Sequence, residues 1–139
     1  MQEYKRKMTE ARFQSEILTP YLKKKGWTFA YEAKVASGNT IPFNKFQPQQ
    51  LPALYKVRHG ILHHKISDMS SGLKPFDGFC MNKEKAYVIA LLNKDKKAGR
   101  KKFYLLDIDE VMKIKKSGAK SLKKSDFELL GVTIETTIV

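Results

Sequence analysis

Ala86-Tyr87-Val88-Ile89-Ala90-Leu91-Leu92 is an unbroken apolar run. A strand with one wet face alternates apolar and polar residues. A run without alternation therefore marks a strand covered on both faces, at the centre of a sheet. Two further stretches suit the positions beside it. Phe103-Tyr104-Leu105-Leu106-Asp107-Ile108 is one. The other, Phe29-Ala30-Tyr31-Glu32-Ala33-Lys34-Val35, is rich in aromatic and β-branched residues. Side chains alternate along a strand, so Phe29, Tyr31, Ala33 and Val35 are expected in the core, with Glu32 and Lys34 side by side on the opposite face. The Tyr87 strand should then lie between the Glu32 strand and the Tyr104 strand.

Helices are expected around these strands. Phe13, Ile17, Leu18, Tyr21 and Leu22 recur at helical spacing up to Gly26, with a kink where Pro20 cannot donate to the carbonyl of Glu16. Gln47-Pro48-Gln49-Gln50 opens a second helix that buries Leu51, Leu54, Tyr55 and Val57. Asp109 is placed to cap a third, through Lys116. Ile61 to Ile66 suits a strand, Pro75 to Cys80 a short strand or hairpin arm, and Phe127 to Val139 a last strand. The stretch 117–125, rich in Lys and Ser, is expected to be mobile. The order of elements predicts a single α/β domain over 1–139, a central mixed sheet flanked by helices.

Composition narrows the classes of function. With 139 residues, 42% of them hydrophobic, the chain can bury roughly two-thirds of its unfolded surface without cross-links. Its one cysteine, Cys80, excludes a disulfide framework and is expected in the core. No secretion signal or membrane-length apolar run is legible, so a cytoplasmic, intracellular protein is expected. Twenty-seven Lys and Arg against fourteen Asp and Glu leave a net charge of +13, which favours a polyanionic partner, most simply nucleic acid. Within that excess, Asp95 to Lys102 is a basic loop suited to face phosphate.

Few residues carry chemistry. A carboxylate can hold a divalent cation and a neighbouring ammonium can position water or offset phosphate charge, so Glu32 and Lys34 suit metal-dependent phosphodiester hydrolysis. An ordinary ion pair is the plainer account of the same two residues. Asp77, in Pro75-Phe76-Asp77-Gly78, is either an acid for that site or a turn residue. His59, His63 and His64 lack a complete zinc ligand set. Asp107 and Asp109 are most simply a strand-to-helix cap. No Gly-rich phosphate loop and no Ser-His-Asp arrangement is present.

Glu32-Ala33-Lys34, Ile41-Pro42-Phe43-Asn44-Lys45-Phe46, Gln49-Gln50, Ala86-Tyr87-Val88-Ile89 and Tyr104-Leu105-Leu106-Asp107 occur in this order. Together they resemble the RecU-type Holliday junction resolvases of the PD-(D/E)XK nuclease superfamily, over roughly Phe13 to Met112. The resemblance implies a restriction-endonuclease-like fold and cleavage of DNA, branched DNA in particular, with Mg²⁺ or Mn²⁺. It implies Glu32 as metal ligand, Lys34 orienting the attacking water, Gln50 near the same site, and Glu16 as the acid of the first helix. It also implies a homodimer, because symmetric junction cleavage needs two active sites. The chain departs from the family in one respect: no acid lies between Gly26 and Tyr31, where a metal-binding Asp normally precedes Glu-x-Lys. Asp77 is the candidate replacement, so the expected metal ligands are Asp77, Glu32 and Glu16. Were Asp77 not to reach Glu32, the chain would be a non-catalytic nucleic-acid-binding module on a nuclease fold.

Overall fold

The computed structural model describes residues 7–26, 29–67, 74–81 and 85–135. Most of the polar loop expected over 67–74, the turn expected over 82–85 and the end of the tail fall outside them. The central apolar run forms β5 (Ala86–Leu91). It pairs in parallel with β1 (Ala30–Val35), Glu32 opposite Val88 and Lys34 opposite Ala90. On its other edge it pairs antiparallel with β6 (Lys102–Asp107), which pairs in turn with β8 (Val132–Glu135). The mixed sheet thus runs β1-β5-β6-β8, with the Tyr87 strand between the Glu32 and Tyr104 strands as expected.

Both faces of this sheet are covered, which is why β5 has no polar alternation. Ile89 and Leu91 meet Ala33, Phe103, Leu105 and the apolar stripe Phe13, Ile17 and Leu18 of the first helix, α1 (residues 10–25). Val88 and Ala90 face a second layer built from α2 (Gln50–His59) and α3 (Ile108–Lys116) through Leu51, Leu54, Val57, Ile108 and Val111. Asp107, rather than Asp109, caps α3, its carboxylate accepting from Asp109 N–H at 2.8 Å.

Helix α1 runs through Glu10–Arg12, a π-helical stretch Phe13–Leu18 and Thr19–Lys25. Thr9 caps it by accepting from Arg12 N–H. In place of regular α-helix before Pro20 stands this wide turn, in which Thr19 N–H reaches back to the carbonyl of Gln14. Gly26 ends the helix at φ 68°, a left-handed conformation that glycine adopts without strain.

Three sequence expectations are corrected. The stretch 117–125 contains β7 (Ser121–Lys123), which pairs with β2 (Thr40–Pro42) and drives Leu122 fully into the core, so a mobile segment is not what forms there. One apolar residue between lysines suffices once a partner strand is present. Phe127 lies in a helix, α4 (Lys124–Leu130), whose N-terminus is closed by Asp126 accepting from Lys123 N–H at 2.9 Å; only Val132–Glu135 is strand. Cys80 is exposed, in a two-stranded sheet of β3 (Leu62–Lys65) and β4 (Gly78–Met81) apart from the central one.

Candidate active site

Alternation along β1 sends Lys34 away from the face that packs on α1. Its side chain nevertheless does not reach bulk water: Lys34 is 6% exposed, with its ammonium 5.2 Å from the centroid of the Phe46 ring. The ammonium is compensated by Glu32 Oε2 at 3.3 Å and by Glu10 Oε2, from the first turn of α1, at 3.9 Å. Glu32 and Glu10 keep 24% and 44% of their side chains open. A pair with one buried member is held in place far better than a surface ion pair, because withdrawing a partner would strand a desolvated charge.

The cleft above Lys34 has a volume of about 390 Å³, and Glu10, Thr40, Lys45 and Lys94 are on its walls. Lys94 donates to the carbonyl of Met8 at 3.1 Å, tying the end of β5 to the start of α1. Arg100, 3% exposed, donates in turn to the carbonyl of Lys94; burial and the nearby Arg12 lower its pKa. The cleft therefore lies at the carboxyl ends of two parallel strands, β1 and β5, where connecting loops diverge and leave room for a ligand.

The other residues singled out in the sequence lie elsewhere. Glu16 is bound to Arg12 at 2.8 Å, one turn away along α1. Gln50 turns back to accept from Gln47 N–H at 2.9 Å, in the turn that leads into α2. Asp77 sits beside β4 with 94% of its side chain exposed, its ion-pair partner Lys74 at 3.3 Å. The acid from the first helix that meets Lys34 is Glu10, which the sequence reading overlooked. Its only sequence signal is its place directly after the Thr9 cap.

A second polar cluster joins α2 to α3. Arg58 Nε stands 3.5 Å from Asp107 and 3.7 Å from Asp109, and His59 is hydrogen-bonded to Asp109. Asp107 caps α3 from the same cluster, which pins the two helices together. Among the described residues, no group of three His, Cys, Asp or Glu side chains converges as a ready-made metal site. Mg²⁺ is commonly held by only one or two carboxylates, with water and substrate phosphate completing its oxygen shell. Glu10 and Glu32, both open to water, fit that requirement.

Comparison with protein-family models, curated proteins and solved structures finds no match. No helix among the described residues is long and apolar enough to cross a membrane.

Proposed function

We propose that this chain is a metal-dependent DNA endonuclease of the PD-(D/E)XK kind. The observation that carries the reading is the position of Lys34, buried at the floor of a water-open cleft and bracketed by Glu32 and Glu10. The excess of positive charge and the Glu-x-Lys strand beside a central apolar strand add support.

In this reading Glu32 and Glu10 hold Mg²⁺ or Mn²⁺, which when bound supplies a Lewis acid and lowers the pKa of water. Lys34 donates hydrogen bonds from a fixed, poorly solvated position. It can orient the attacking water and offset the charge that builds on phosphate oxygens in the transition state. Lys45 and Lys94 on the cleft walls attract the DNA backbone. Branched DNA, a homodimer and action inside the cell belong to the same proposal.

The test is to incubate the protein with plasmid, linear and four-way-junction DNA, with and without Mg²⁺ or Mn²⁺. Glu32→Gln should abolish cleavage and spare much of the binding. Asp77→Asn should cleave as the wild type does, since Asp77 is exposed beside β4 and paired with Lys74. A wild type that binds DNA but cuts none with either metal overturns the nuclease reading. The non-catalytic binding module then takes its place, a reading favoured by the separation of Asp77 from the Glu32 sheet.

A further inference from the structure

Behind the candidate active site, a second pocket of about 340 Å³ opens between the loop after β5 and the start of α4. Lys96, Lys102 and Lys124 line it with Asn39, Asn93 and Tyr104, and no carboxylate contributes to the lining. Acids stand outside the lining: Asp95 precedes Lys96 in the loop, Glu135 is the strand partner of Lys102, and Glu128 acts on Tyr104 from α4. None of the three lysines has an ion-pair partner among the described residues. Three like charges around one cavity repel each other, and an anion entering it would relieve that repulsion.

A second observation is independent of charge. Tyr104, 2% exposed overall, lines the same pocket and brings a hydroxyl to it. A tyrosine hydroxyl at the wall of a water-open pocket can exchange water for a ligand oxygen as its hydrogen-bond acceptor. Burial and, to a lesser degree, Glu128 raise its pKa, so the hydroxyl keeps its proton and acts as a donor.

The pocket is also rigid. Asn93 N–H donates to the carbonyl of Gly38 at 3.0 Å, its side-chain amide to Asn39 Oδ1 at 2.7 Å, and Lys124 N–H to the carbonyl of Asn39 at 2.8 Å. Asn93 holds φ 53°, and Gly99 packs so closely that a Cβ there would lie 2.2 Å from the Asn93 carbonyl oxygen. The loop after β5 and the start of α4 are thus tied together across the pocket.

We propose that this pocket is a second, non-catalytic site that takes a backbone phosphate of a nucleic-acid strand, with Tyr104, Lys96, Lys102 and Lys124 as donors. Its affinity for phosphate stands by itself; the choice of nucleic acid as the source rests on the proposed function. Asn93 and Lys94, adjacent in sequence, line this pocket and the Lys34 cleft respectively, so a strand held here passes close to the candidate active site.

The experiment uses the full chain. Affinity for short single- and double-stranded oligonucleotides is measured across salt, and inorganic phosphate is titrated while pocket amide resonances are followed. Tyr104→Phe leaves net charge unchanged and should weaken oligonucleotide binding several-fold at an unaltered melting temperature. Lys96→Gln with Lys124→Gln should lower the salt slope by about two and cost more affinity than the control pair Lys115→Gln with Lys116→Gln. Equal losses in both lysine pairs, together with wild-type binding by Tyr104→Phe, overturn the site. Pocket shifts with inorganic phosphate but none with oligonucleotide overturn the nucleic-acid assignment. A wild type that cuts no DNA, yet loses affinity on Tyr104→Phe, removes the nuclease reading and leaves this site standing.

Discussion

Glu10 and Lys34 meet, carboxylate oxygen to ammonium, at 3.9 Å, although one begins the first helix and the other lies near the end of the first strand. The contact places a second acid beside the Glu32–Lys34 pair without any acid preceding Glu32 on its own strand. It also separates the roles of two first-helix acids, since Glu16 is bound to Arg12.

Glu10→Gln should therefore lower metal-dependent cleavage by orders of magnitude and weaken Mn²⁺ binding measured by calorimetry. Glu16→Gln should change both by less than a few-fold. The reverse pattern would show that α1 presents a different face to the site than the structure has.

Ile89 is fully buried at the centre of β5, between the two apolar layers. Ile89→Glu would place a carboxylate there without a partner, at a cost of several kcal/mol. The expected outcome is an insoluble or unfolded chain by circular dichroism. A folded Ile89→Glu protein would contradict the central position of β5.

Leu122→Ala tests the stretch between 117 and 125. Leu122 is fully buried where β7 pairs with β2, so the truncation should cost about 2–5 kcal/mol in urea unfolding. A loss below about 0.5 kcal/mol, the usual limit for surface substitutions, would mean that β7 is not anchored.

Burial raises the pKa of Tyr87 and of Tyr104 above the ordinary tyrosine value of 10.0, with Asp107 adding to the shift at Tyr87. A folded-state pKa above the unfolded one means stability that is fully present below pH 10 and lost as the pH rises through the folded value. Unfolding monitored across that range should show a steeper alkaline loss in the wild type than in Tyr87→Phe with Tyr104→Phe. Equal slopes would show that neither ring is shielded.

Much of the sheet was legible before any coordinates, because it depends on properties that are local along the chain. Period-two alternation put Glu32 and Lys34 on one face, and the unbroken apolar run from Ala86 required cover on both sides. Neither inference needs knowledge of a distant partner. The acid completing the Lys34 site, the separate sheet that carries Asp77 and the ordering of Ser121–Lys123 were not legible. Each depends on a pairing between residues far apart in sequence. The π-helical turn before Pro20 shifts helical register by an amount that spacing alone does not reveal. β7 gains its order only when β2 supplies hydrogen bonds and the core receives Leu122. Composition could place lysines in abundance; only the folded backbone decided that Lys34 would be held beside Phe46 between Glu32 and Glu10, because fixing a charged side chain takes surrounding structure that the local sequence does not contain.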